Sequence, residues 1–294
     1  MAEGKRNKVV ILGAGGRLGA ALAREYRRDF QVVGYNHGDL DLGATEKLRA
    51  TLESLDFDVL INAAAQTKVD HCEADKEGAF KLNAEAPRVI AAVCRMKNAR
   101  FVHISTDYVF DGEKREPYTE KDEARPISIY GESKLEGERL VFETYEQALV
   151  VRVSWVFGPD RPSFIDAMIQ TARQKEEVTA VSDKYSTPTY TLDICNLLRP
   201  LLLERPERGV LHIANSGECS WQEYAQWAID CCDSKGILLK AKKVGAISLA
   251  EMKNFIAKRP VYSVLSPAKY QRVTGEVPRH WRHAVAEYVR DHVR

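Results

Sequence analysis

The run Val9-Val10-Ile11-Leu12-Gly13-Ala14-Gly15-Gly16-Arg17-Leu18-Gly19 constrains the fold of this chain more than any other stretch. Its apolar residues read as a buried parallel strand, and Ala20 to Tyr26 reads as the helix that follows. Gly13, Gly16 and Gly19 recur at every third position, with Gly15 as a fourth glycine. Such glycines permit a tight turn, let a backbone approach a pyrophosphate and seat the helix close on the strand. The helix start then offers unpaired N–H groups to phosphates. Taken alone, the same residues also fit an ordinary strand-to-helix turn.

Strands and helices alternate through the first half. Lys8 to Leu12, Gln31 to Tyr35, Asp58 to Asn62, Arg100 to Ile104 and Ala148 to Val153 are short apolar or β-branched runs. Helical stretches lie between them: Ala20 to Arg28, Thr45 to Ser54, Glu77 to Lys97 and Ser128 to Tyr145. This alternation predicts an α/β fold with a doubly wound, Rossmann-type parallel sheet. The second half is less regular. Helices are expected from Ser163 to Gln174, Leu192 to Leu203, Trp221 to Cys231 (capped by Ser220) and His280 to Val293, with a strand at Val210 to Ala214. No linker or repeat separates the halves, so a smaller substrate-binding domain is expected to be interleaved with the first. The expected division is residues 1–156 with 186–213 for the dinucleotide domain, and 157–185 with 214–294 for the other.

Composition narrows the class. The chain has 294 residues, 45% hydrophobic and 29% charged, as in an ordinary globular protein. Its 43 basic residues balance 42 acidic ones, so no field favours nucleic acid or another polyanion. No apolar stretch approaches the roughly 20 residues that cross a bilayer. The cysteines at 72, 94, 195, 219, 231 and 232 show no metal-ligand or paired spacing. Reduced thiols, a cytoplasmic location and no bound metal are expected. No apolar stripe argues for assembly, and a monomer or homodimer is expected.

Chemistry is carried by Ser105-Thr106-Asp107 at a strand end and by Tyr130-Gly131-Glu132-Ser133-Lys134. Tyr130 and Lys134 stand one turn apart on one helix face. A phenol with an ordinary pKa of about 10 is brought toward the working range by a neighbouring ammonium. A hydroxyl such as that of Thr106 holds a substrate oxygen. Together they suit proton transfer to an oxygen while hydride reaches the carbon.

With these residues in view, the chain resembles the extended short-chain dehydrogenases/reductases and, more narrowly, the dTDP-4-dehydrorhamnose reductase family. The resemblance runs through Gly13-x-x-Gly16-x-x-Gly19, Asn62 to Asp70, Ser105 to Gly112, Tyr130 to Glu138, Arg152 to Gly158, Ser186 to Tyr190 and Arg259-Pro260. It implies a catalytic triad of Thr106, Tyr130 and Lys134, with Lys134 also reaching the cofactor ribose. It implies cofactor contacts at Gly13, Gly16, Arg17, Leu18, Gly19, Asp41, Leu42, Ala63, Ala64 and Ala65, besides Tyr130 and Lys134. Substrate contacts are implied at Thr67, Val69, Thr106, Tyr108 and Trp155, around a nucleotide-linked sugar, dTDP-linked by preference. A nucleotide-sugar 4,6-dehydratase would carry Asp-Glu after the threonine, but here Tyr108 follows Asp107. A 4-epimerase or related reductase, and a cofactor-binding regulatory subunit like the beta subunit of methionine adenosyltransferase, are the alternatives.

Several side chains carry two readings. Trp155 and Tyr108 fit either a pocket wall or the core. His103, flanked by apolar residues in a strand, reads as a core histidine, with a catalytic acid as the alternative. Asp107 either hydrogen-bonds the site loop or caps a turn, and Asp41 reads locally as a loop acid. Glu113 to Glu123 reads as a solvated surface loop, with a substrate lid as the alternative. The second strand ends in Asn36-His37, without the carboxylate that selects NAD. Arg17 is therefore expected to meet a 2′-phosphate unless it merely faces solvent at the helix start. NADPH is the expected cofactor, with NADH also used.

Overall fold

The structure, a computed structural model, describes residues 7–294. In chain order the strands are β1 Lys8–Leu12, β2 Gln31–Tyr35, β3 Val59–Asn62, β4 Arg100–Thr106, β5 Leu149–Val153, β6 Val156–Phe157, β7 Val178–Val181, β8 Tyr185–Ser186, β9 Thr189–Tyr190, β10 Gly209–His212, β11 Cys219–Ser220 and β12 Val244–Ile247. The α-helices are α1 Arg17–Tyr26, α2 Thr45–Ser54, α3 Val69–Ala74, α4 Lys76–Phe80, α5 Ala86–Lys97, α6 Ile129–Thr144, α7 Phe164–Gln174, α8 Thr191–Leu198, α9 Trp221–Ser234, α10 Ala268–Thr274 and α11 Trp281–His292.

Six strands form one parallel sheet in the order β10-β5-β4-β3-β1-β2. Alternate residues along each strand face opposite sides, so the sheet supports two cores. Val9, Ile11, Val59, Ile61, Val102, Ile104 and Val151 meet α1 and α8 on one side. Val10, Leu12, Leu60, Phe101 and Val150 meet α2 and α5 on the other. The expected doubly wound α/β architecture is present. Its strand order reverses between β1 and β3, and there the carboxyl ends of neighbouring strands diverge to leave a crevice.

Beside this sheet, β7 pairs with β12, β8 with β11 and β6 with β9. Around α7, α9 and α11 an aromatic cluster of Phe157, Tyr190, Tyr224, Trp281 and Tyr288 forms a further core. Ser220 and Ser163 each cap their helix in a reciprocal box with an acid three residues on.

Three expectations need correction. The single helix over Glu77–Lys97 is instead α4, a π-helical segment Lys81–Glu85 and α5. The bulge turns Asn83 inward, where its Oδ1 accepts from Gln66 N at 2.8 Å and its Nδ2 donates to Gln66 O and Ser133 Oγ. Second, residues 113–123 are not a wholly solvated loop. Tyr118 is 2% exposed, stacks on Phe110 and donates to Asp111 Oδ1 at 2.6 Å. A tyrosine ring removes a large apolar area from water when buried, and its O–H has the partner a buried phenol needs in Asp111. Third, α3 and α10 were not anticipated, since each is shorter than the roughly two turns over which helical periodicity shows. Among the described residues, no helix is long and apolar enough to cross a membrane.

Candidate functional site

At the strand-order reversal lies a cleft of about 980 Å³, lined from both parts of the molecule. Its floor is the turn after β1. Gly13 has φ +81°, and a Cβ there would lie 2.7 Å from the Ala64 backbone nitrogen. Gly19 packs α1 against this turn, since a Cβ would fall 2.1 Å from Gly13 O. Gly16 starts α1 without a capping side chain, so the first-turn N–H groups face the cleft uncapped. Ala63, Ala64 and Ala65 form the neighbouring wall, with Leu42 and Leu40 beside them.

Of the expected cofactor residues, Gly13, Gly16, Arg17, Leu18, Leu42 and Ala63 to Ala65 line the cleft, whereas Gly19 and Asp41 do not. Asp41 is an exposed loop acid whose Oδ1 accepts from Gly43 N at 2.9 Å. Arg17 does not simply face solvent. Its guanidinium donates to the carbonyls of Val156, Arg161 and Pro162, and Arg161 Nε donates back to Gly15 O at 2.9 Å. Asn36 and His37 line the cleft at the end of β2, while Asp39 turns its carboxylate onto Asn36 N at 3.0 Å.

Thr106, Tyr130 and Lys134 meet at the inner end. Thr106 ends β4; its Oγ1 accepts from Tyr108 N at 3.2 Å and donates to Asp107 Oδ1 at the same distance. Ser128 caps α6, and Gly131 lets that helix approach Tyr108 O closely. Tyr130, Lys134 and Glu138 then fall on one buried face of α6, one turn apart. Burial pushes the Tyr130 phenol above its ordinary pKa, and the Thr106 hydroxyl opposes this through a hydrogen bond. This corrects the expectation that Lys134 lowers the phenol. Lys134 Nζ is turned to Ile104 O at 2.7 Å and to His103 Nε2 at 3.2 Å. Burial brings Lys134 itself down to about 8, against the pull of Glu138.

Asp107 is more than a turn cap. Thr106, Ser186 and Ser263 donate hydroxyls to it, at 3.2, 3.2 and 2.5 Å. Burial raises its pKa, and Lys184 is the strongest influence in the other direction. His103 is wholly enclosed, as expected of a core histidine, but it touches both Lys134 and Asn62.

On the opposite wall, Thr67, Val69, Tyr108 and Trp155 all line the cleft. Tyr108 meets the Tyr130 ring edge-on at 5.5 Å. Trp155 is half-buried and holds φ +38°, a conformation that costs a bulky side chain roughly 1–3 kcal/mol and clusters at functional sites. It stacks with Tyr224 and lies beside Trp221, both of which share the lining with Phe164. Those three rings, Asn83, Arg161 and buried Lys184 were missed in the sequence. Lys184 Nζ lies 5.3 Å from the Tyr108 ring centre and 5.9 Å from those of Trp155 and Trp221. Only the aromatic spacing of Trp221 and Tyr224 in a helix hinted at them, and that pattern reads as core.

Comparison with known proteins agrees with this geometry. Residues 7–294 match the family described as RmlD substrate binding domain. The chain is 34% identical over 285 residues to the spore coat polysaccharide biosynthesis protein SpsK of Bacillus subtilis, covering 97% of each. It is 37% identical to a dTDP-4-dehydrorhamnose reductase of Burkholderia thailandensis, over 97% of this chain and 98% of that one. Among solved structures, a Bacillus anthracis dTDP-4-dehydrorhamnose reductase in complex with NADP superposes with a TM-score of 0.91. It is 30% identical and covers 97% of this chain and 99% of that one.

Proposed function

Because the chain belongs to the RmlD substrate binding domain family, we propose that it is a dTDP-4-dehydrorhamnose reductase. It reduces the C4 keto group of a dTDP-linked 6-deoxy-4-hexulose at the expense of NADPH. The observation that carries the reading is Thr106, Tyr130 and Lys134 gathered at the inner end of a cleft floored by the glycine turn. Relatives named for this reaction match nearly the full length.

The residues present fit a dinucleotide. The Gly13 turn leaves room that any Cβ would close, and α1 opens without a capping side chain. Gly13, Gly16 and Leu18 would hold the pyrophosphate, Ala63 to Ala65 and Leu42 the flanking rings, and Tyr130 with Lys134 the ribose near the reacting carbon. When bound, the reduced cofactor supplies the hydride. Tyr130 gives its proton to the oxygen at C4; burial keeps the phenol protonated, so the proton is in place when the more basic alkoxide develops. Thr106 faces the same oxygen, and its hydroxyl, which donates to Asp107 Oδ1 in the unliganded cleft, would turn its one proton to that oxygen when the sugar is bound. Phe164, Trp221 and Tyr224 exclude water from the sugar side.

The domain division at 1–156 with 186–213 and 157–185 with 214–294 puts the glycine turn in one part and these rings largely in the other. The six cysteines are free thiols, which supports a cytoplasmic setting. A monomer or homodimer would serve, since the cleft is formed within one chain.

The test is a coupled assay in which a 4,6-dehydratase makes dTDP-4-keto-6-deoxyglucose in place and an added 3,5-epimerase converts it to the epimerised 4-keto sugar. Consumption of reduced cofactor that depends on the sugar supports the reading. Cofactor binding without turnover would turn it over in favour of a non-catalytic regulatory subunit.

In the same assay kcat/KM is expected to favour NADPH over NADH, because Asn36 and His37 rather than a carboxylate meet the cleft at the end of β2. Arg17→Ala should weaken both cofactors, NADPH the more. Equal losses would confine Arg17 to holding the 156–162 segment, and a wild-type preference for NADH would sink the assignment.

Trp155→Ala is expected to raise KM for the sugar nucleotide by about tenfold or more, on the order of the contact area an aromatic wall supplies. Reduced-cofactor affinity should stay within a few-fold. A circular dichroism spectrum showing global unfolding would instead make Trp155 a core residue.

A further inference from the structure

Proton transfer from Tyr130 makes no use of His103, although that imidazole is fully buried against the site. Its Nε2 lies 3.2 Å from Lys134 Nζ, and its Nδ1 lies 3.2 Å from Asn62 Nδ2. The far side of Asn62 is fixed, because its Oδ1 accepts the Ala64 N–H at 3.1 Å. The amide nitrogen is therefore the end turned to His103, and His103 Nδ1 must accept from it. A neutral imidazole in that state carries its proton on Nε2, aimed at Lys134.

An ammonium has three donors and no lone pair, so it cannot accept that proton, whereas a free amine can. The ammonium form of Lys134 needs the other tautomer, with the proton on Nδ1. That tautomer in turn requires Asn62 to present its Oδ1 to His103 and release Ala64 N–H. We propose that Asn62 and His103 form a positioning pair with two proton arrangements, one matched to Lys134 as amine and one as ammonium. The pair thereby links the charge on Lys134 to the Ala63–Ala65 backbone that walls the cleft.

The proposal rests on reading Lys134 as part of the reductase site. Charged and titratable neighbours are few. On α6 they are Tyr130, one turn before Lys134, and Glu138, one turn after it and held by Arg152 of β5 and Ser105 of β4. From α5, which packs on the same sheet face, comes Cys94, whose thiol burial keeps protonated. Asn62 of β3 adds no charge. With Lys134 brought down to about 8, it is ammonium below that pH and amine above it, so the switch falls in an accessible range.

The experiment follows the imidazole nitrogens of His103 by NMR in histidine-15N-labelled protein, from roughly pH 6 to 10. The signals are assigned by their loss in His103→Leu. Above the transition the proton should sit on Nε2, and it should move to Nδ1 as pH falls through the Lys134 titration. Lys134→Met should hold the Nε2–H form at every pH. Asn62→Asp, whose carboxylate accepts from both Ala64 N–H and His103 Nδ1–H, should hold the Nδ1–H form. The same variant should raise the pH at which kcat changes by at least about one unit. A wild-type His103 that keeps one tautomer throughout overturns the proposal, whether or not Asn62→Asp folds. The titration needs no substrate, so a protein that switches tautomer yet reduces no keto sugar upholds the pair and overturns the reductase reading alone.

Discussion

Tyr130→Phe is expected to lower turnover of the keto sugar by at least about a hundredfold, the scale of a lost general acid. The ring remains, so its contacts with Ile129, Cys72 and the edge of Tyr108 persist and the fold should be unaffected. What disappears is the one hydroxyl at the inner end of the cleft that also touches Thr106. Lys134→Met should lose a similar factor for a different reason. It removes the amine proposed to hold the cofactor ribose and leaves Ile104 O and His103 Nε2 without their partner. Binding of reduced cofactor, followed by fluorescence titration, should therefore fall in Lys134→Met and hold in Tyr130→Phe. Near-normal turnover by Tyr130→Phe would remove Tyr130 from the chemistry and leave the cleft a binding site.

Much of this site is legible in the sequence because its parts are local. Tyr130 and Lys134 share one helix, and Gly13 to Gly19 form one turn; spacing alone sets such geometry. The six sheet strands are legible for the same reason, each being an apolar run between helices. Contacts across the chain are not legible. Lys184 reaches Tyr108 and Trp221 only because β8 and α9 fold over the cleft, and nothing near Lys184 marks it as buried. Asn83 turns inward because a π segment adds a residue to one turn, a shift that no helical periodicity predicts. Tyr118 hides in a charged run because its partner, Phe110, lies before the loop. The Tyr130 phenol was expected to be lowered by proximity to Lys134. Its actual direction follows from burial and from where the amine points, and both are tertiary facts.

The largest loss of stability is expected from Arg152→Leu. Arg152 on β5 grips Glu138 of α6 through two bonds, Nε to Oε1 at 2.9 Å and Nη2 to Oε2 at 2.6 Å. Ser105 Oγ also donates to Glu138, and the guanidinium lies over the Phe110 ring at 5.1 Å. The two side chains are only 5% and 4% exposed. A pair this dry gains little over an apolar pair, but removing one partner strands the other charge, which costs about 3–5 kcal/mol. Arg152→Leu leaves the Glu138 carboxylate with one direct hydrogen bond, from Ser105, and only the more distant pull of Lys134, so the urea midpoint should fall by that amount divided by the slope of the transition. Because Glu138 continues the face that carries Tyr130 and Lys134, the variant should also lose turnover at temperatures where it is still folded. The double variant Arg152→Leu/Glu138→Leu removes both charges and should recover most of the stability. A single variant costing less than about 1 kcal/mol would mean that water reaches Glu138 and that the pair is not what fixes the rotation of α6.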